Sequence, residues 1–194
     1  MTKAIRWRII VLQVVALFVL AFGSGAGFFA YNFTTDQIKQ QLAPQAIVFP
    51  ATAAQGLPSE LSQYAGQQVL NGDQAHAYAE KFIALHLKEI GQGHPYSYWS
   101  GQARSTTDAT LAAKYQGIAD TLFKGETLRS MLNQAWTFSV FAQIAYYAGI
   151  ALAIGGAVVL GALLFEIVEM ATGKETVQAV AAPVKPAAEL AGAR

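Results

Sequence analysis

Two long, uncharged, apolar stretches lie near opposite ends of this 194-residue chain, Ile9 to Tyr31 and Gln143 to Phe165. Each reaches the roughly 20 residues that a helix needs to cross a bilayer core. Lipid offers no hydrogen-bond partners, so a spanning backbone must satisfy itself, and each stretch is expected to be a helix. The segment between them is mostly polar and long enough for one small domain but not for two. The pattern predicts an all-α, two-span membrane protein. Its parts are a short N-terminus (1–8), a first transmembrane helix (9–31), a helical domain (32–142), a second transmembrane helix (143–165) and a largely disordered tail (166–194).

Lys3, Arg6 and Arg8 precede the first span with no acidic residue among them. By the positive-inside rule the N-terminus is cytoplasmic, and two spans return the C-terminus to the same side. The middle domain is then extracytoplasmic. Trp7 would mark the inner interface, and Phe28, Phe29, Tyr31, Trp136, Tyr146 and Tyr147 the outer one. A cleaved signal peptide also starts basic and apolar, with small residues such as Gly23 to Gly27. Here the apolar run continues through Phe28, Phe29 and Ala30, beyond a usual signal core, so the segment is expected to be retained.

Charges in the middle segment nearly balance, and no basic patch is visible, which argues against nucleic acid as a partner. The chain has no cysteine, which excludes disulfides, a thiol nucleophile and cysteine-held zinc or iron–sulfur clusters.

Within the domain, Pro44, Pro50 and Pro58 predict an irregular linker after the first helix, which is expected to run to about Leu42. A short helix is expected from Pro58. Asn71-Gly72-Asp73 reads as a turn followed by an N-cap, opening a helix from Gln74 to Ile90 that Gly91 ends in the left-handed conformation. His94 to Gly101 reads as an aromatic loop. Ser105-Thr106-Thr107-Asp108 is expected to cap a helix from about Ala109 to Phe123, interrupted or bent at Gly117. Gly125 separates it from a further helix that begins near Glu126 and runs directly into the second span. The tail from Val177 is Ala- and Pro-rich and is expected to be disordered.

Small residues recur at helical spacing in both spans: Gly23 and Gly27 in the first, and Gly149, Ala153, Ala157 and Gly161 in the second. Such rows let helix backbones approach closely, so they predict a packing seam, between the spans or against another membrane protein. Neither span carries an ionisable residue, which argues against a transporter, proton relay or voltage sensor. Glu166 and Glu169 stand at the inner boundary as interfacial carboxylates.

Chemistry is sparse. His76 and Glu80 are four apart on one helix face, and His94 in the loop is the nearest further ligand for a metal. His86 falls on another face, and no HExxH pattern is present. Ser97, Ser100, Ser105 and Ser130 lack a nucleophile-elbow context. Tyr96, Tyr98 and Trp99 are candidates to line a small-molecule pocket or a partner contact. No catalytic residue and no cofactor are predicted.

Tyr64-Ala65-Gly66-Gln67-Gln68-Val69, the stretch Ala75 to His86, Gly93 to Ser97 and Leu128-Arg129-Ser130-Met131-Leu132 together carry a resemblance. Over about half its length the chain resembles a set of uncharacterised actinobacterial two-span membrane proteins. The resemblance implies a bacterial plasma-membrane location and a two-span architecture. Some members of that set bear the name of an aromatic ring-opening dioxygenase, but the iron ligands such chemistry needs form no recognisable motif here. The chain also departs from the set by a longer Pro-rich linker and by the aromatic segment around Tyr96.

The functional expectation is a non-enzymatic accessory subunit of a larger membrane complex, such as a respiratory or other membrane oxidoreductase. Its partners would be integral membrane subunits, or further copies of itself, within the lipid bilayer. The alternatives are a membrane-anchored small-ligand binder or sensor built on the aromatic segment, and a metal-assisted enzyme subunit that is active only in complex.

Overall fold

The structure is a computed structural model and describes residues 3–180. It is all-helical among those residues, apart from one isolated antiparallel bridge between Val48 and Gln68. Among the described residues there are five α-helices: α1 (Lys3–Leu42), α2 (Gly72–Ala77), α3 (Ala84–Ile90), α4 (Tyr96–Ser105) and α5 (Ala109–Val180). A π-helical segment, Tyr78–Ile83, joins α2 to α3 into one continuous helical run. Both α1 and α5 are long and apolar enough to cross a membrane.

The chain divides into two compact units, Met1–Gly25 with Gly149–Arg194, and Ala26–Ala148. In the first unit, α1 and α5 run antiparallel. A Cβ at Gly23 would approach Leu152 to 2.9 Å, and one at Gly156 would lie 3.7 Å from Leu20. Near the other end of the pair, the Arg6 guanidinium meets Glu169 at 3.6 Å.

The second unit holds the core. Ile38 and Leu42 of α1 pack with Phe49, Leu61, Val69, Ala75, Ile83, Leu87, Leu122 and Leu132. The helix α1 does extend to Leu42, and Pro44 falls in the first turn of a 3-10 turn, Ala43–Gln45. The linker is irregular, as its prolines require, but it is anchored. Phe49, 1% exposed, stacks on Tyr64 and meets Tyr78 edge-on, each at 5.1 Å. Backbone bonds Phe49 N–H to Gln67 O and Val69 N–H to Ile47 O tie the linker to the segment 67–69. The short helix expected from Pro58 is a 3-10 helix, Ser59–Tyr64.

Four local expectations are corrected. The N-cap of α2 is Asn71, whose side chain accepts from the Gln74 N–H, and not Asp73. Gly91 keeps a right-handed φ of −78°; the chain reverses at Gln92 (φ 51°) and Gly93 (φ 80°). Gly91 is needed for space instead, because a Cβ there would crowd the His94 carbonyl and lie 3.2 Å from Leu122. The aromatic loop is largely a helix: Pro95 occupies the N-cap position of α4, and a proline at a helix start sacrifices no internal hydrogen bond. Gly125 does not separate two helices, and α5 runs unbroken from Ala109 through Gly117 and Gly125. A Cβ at Gly125 would collide with Leu87, so the glycine admits α3 close to α5.

Asp108 caps α5 as expected, its Oδ1 accepting from the Thr110 and Leu111 N–H groups. Of the tail expected to be disordered, Val177–Val180 belong to α5, and residues 181–194 lie outside the described residues.

Candidate functional site

The most connected polar group in the second unit sits where the π-helical segment faces α5. Glu80 receives a forked pair of bonds from Arg129, Nε to Oε1 at 3.1 Å and Nη2 to Oε2 at 2.6 Å. Asn133 Nδ2 donates to the same carboxylate. Arg129 also reaches Glu126 at 3.2 Å. The Arg129 hydrogen bonds, then that from Asn133, hold the Glu80 carboxyl below the usual carboxylate range against the opposing effect of desolvation. The same pairing pushes the Arg129 guanidinium up.

One bond further, His76 Nδ1 lies 3.0 Å from Asn133 Oδ1. An ionised carboxylate only accepts, so the Asn133 amide must turn its NH2 to Glu80 and its oxygen to His76. That assigns the proton to Nδ1. The His76 ring also stacks on Trp136, with centroids 4.1 Å apart. His76 is half-buried, because α5 supplies both Asn133 and Trp136.

The weak metal set does not assemble. Glu80 is committed to Arg129 and Asn133, and His94 stacks on Tyr98 with centroids 3.9 Å apart. No group of three His, Cys, Asp or Glu side chains among the described residues stands close enough to hold a metal. His86 is bonded within its own helix, Nδ1 to Phe82 O at 2.8 Å.

The aromatic candidates part company. Trp99 is buried in the core, and its Nε1–H donates to Gly91 O at 2.9 Å. Tyr98 packs on Trp99 and His94 and stays exposed. Tyr96 lines an open groove of about 490 Å³ whose walls include Leu87, Pro95 and Leu122.

In the apolar parts of α1 and α5, Gly23 packs against Leu152 as a seam residue should, and Gly27 is half-buried. The row of four in α5 is split. Gly149 is buried, whereas Ala153, Ala157 and Gly161 are exposed. Gly149, Leu152, Gly156, Val159 and Leu163, spaced alternately by three and four, turn inward, with Ile150 and Gly155 half-buried beside them. A step of four overshoots a full turn by about 40°, so a long row of such steps leaves the face on which it began.

Searches against protein-family models, curated proteins and solved structures gave no match for this chain.

Proposed function

We propose that the chain is a non-enzymatic accessory subunit of a larger membrane complex. In this reading it is anchored by the segments 9–31 and 143–165 in a bacterial plasma membrane. Both termini are cytoplasmic, and the helical domain lies outside. The burial pattern supports the membrane reading. Only 6% of the most apolar window of the first long helix is buried, and 11% of the second. A core helix of a soluble protein would be mostly covered, and apolar surface on this scale needs lipid or another protein against it.

The observation that carries the accessory role is the exposed row Ala153, Ala157 and Gly161. The partner span α1 uses Leu152 and Gly156 of α5 and leaves this row open. Gly25 on α1 is open as well, with no atom near the place of its missing Cβ. Small residues left outward at helical spacing fit close approach by a helix of another subunit. That subunit is a different integral membrane protein in the first reading and a second copy in the other. The soluble unit supports the same conclusion. His76 is bonded to Asn133, His86 to the Phe82 carbonyl and Glu80 to Arg129, and the groove at Tyr96 is open rather than enclosed.

The test is Ala157→Leu. The added branched side chain should reduce the native size of the complex in gentle detergent, while the far-ultraviolet circular dichroism of the purified chain stays unchanged. A variant that kept the wild-type complex would refute the seam.

A further inference from the structure

A second cavity in the Ala26–Ala148 unit, about 140 Å³, is built differently from the groove. Its polar lining is Tyr31, Thr35, Asn71, Asp73, Ser139 and Gln143, with no Lys, Arg or His. The hydroxyl protons are already committed: Thr35 donates to Tyr31 O at 2.9 Å, and Ser139 to Trp136 O at 2.7 Å. Both oxygens therefore offer only lone pairs to a ligand. Asp73 has no ion-pair partner among the described residues. The Tyr31 hydroxyl and the Gln143 amide can each accept a further bond, and Asn71, whose Oδ1 takes the Gln74 N–H, keeps its NH2 as a donor. A cavity with one unpaired carboxylate and mostly acceptors suits a small cation rich in N–H donors.

We infer that this cavity binds a primary ammonium group, and that its source is the headgroup of an aminophospholipid. The lipid source rests on the membrane reading above. Tyr31 ends one uncharged apolar run and Gln143 begins the other, which sets both at headgroup level in that reading. A quaternary trimethylammonium has no N–H to give to Thr35, Ser139 and Asp73, so a choline headgroup is discriminated against. An anionic glycerol headgroup would face Asp73 with like charge.

The experiment uses the purified full chain in detergent, titrated in turn with phosphatidylethanolamine, phosphatidylcholine and phosphatidylglycerol, with bound lipid counted by native mass spectrometry. The ethanolamine lipid should be retained about tenfold over the other two, the scale of one charge-assisted hydrogen bond. Asp73→Asn should abolish that preference, and the control Asp120→Asn, on the exposed face of α5, should keep it. Equal retention of the three lipids, or a preference that survives Asp73→Asn, overturns the inference. Free ethanolamine separates the two sources: failure to displace the lipid at equal concentration supports the headgroup, and equal binding moves the site to a soluble amine and overturns the lipid assignment. Resistance of the chain to carbonate extraction tests the membrane reading separately, so loss of that reading and loss of the pocket give different results.

Discussion

Gly72→Ala tests the tightest glycine contact in the Ala26–Ala148 unit. A Cβ at Gly72 would collide with Ser139 Oγ and Cβ and would stand 3.2 Å from Trp136 Cα. Rotating the Ser139 side chain moves its oxygen, but its Cβ and the Trp136 Cα are fixed to the backbone of α5. The start of α2 must therefore move away from α5 as a piece. Overpacking of this kind costs about 1–3 kcal/mol, against a gain of less than about 1 kcal/mol from replacing glycine in a helix. The net loss should lower the apparent melting midpoint by roughly 2–8 °C in a chain of this size. The assay is thermal unfolding in detergent, followed by tryptophan fluorescence, to which Trp99 and Trp136 contribute from this unit. Ser139→Gly removes both colliding atoms and leaves only the contact to Trp136 Cα. The double variant should thus recover much of the loss, giving a coupling of about 1 kcal/mol or more between the two sites. A Gly72→Ala chain as stable as wild type, or strict additivity in the double variant, would refute the packing argument.

The Glu80 pairing predicts a pH signature. A carboxyl held below its ordinary value stabilises the fold above about pH 4.3, and that contribution disappears as pH falls through the depressed folded value. Glu80→Gln should therefore cost roughly 1–3 kcal/mol at pH 7, with the gap to wild type closing under more acid conditions, as read by denaturant titration at several pH values. An equal gap at every pH would sink the assignment. Orientation is testable without background labelling, because the chain has no cysteine. A single cysteine at Ser62 should react with an impermeant maleimide on intact cells, and one at Thr2 only after lysis; the reverse pattern would invert the topology.

The long elements were legible because each depends on local signals. Uninterrupted apolar length announced the two long helices, the prolines of the 43–58 linker announced its irregularity, and the Ser105-Thr106-Thr107-Asp108 stretch announced the start of α5. Errors arose where a residue serves a distant partner. Gly125 looked like a breaker but answers to Leu87, and Gly91 looked like a left-handed stop but makes room beside Leu122. Pro95 looked like part of a turn but opens α4. The Glu80 cluster was half-visible. His76 and Glu80 share a helix face, but Arg129 and Asn133 lie 49 and 53 residues from Glu80, and no spacing rule links them. In α5, the alternation of three and four through Gly149, Leu152, Gly156, Val159 and Leu163 was present in the sequence, and it marks the inward face better than the row of fours.

The most direct measurement is purification of the tagged native chain in gentle detergent, with its partners identified and their stoichiometry counted by mass spectrometry. The accessory-subunit account predicts a fixed-ratio complex with a larger integral membrane protein, lost in Ala157→Leu. A wild-type chain that purifies as a lone monomer would contradict it.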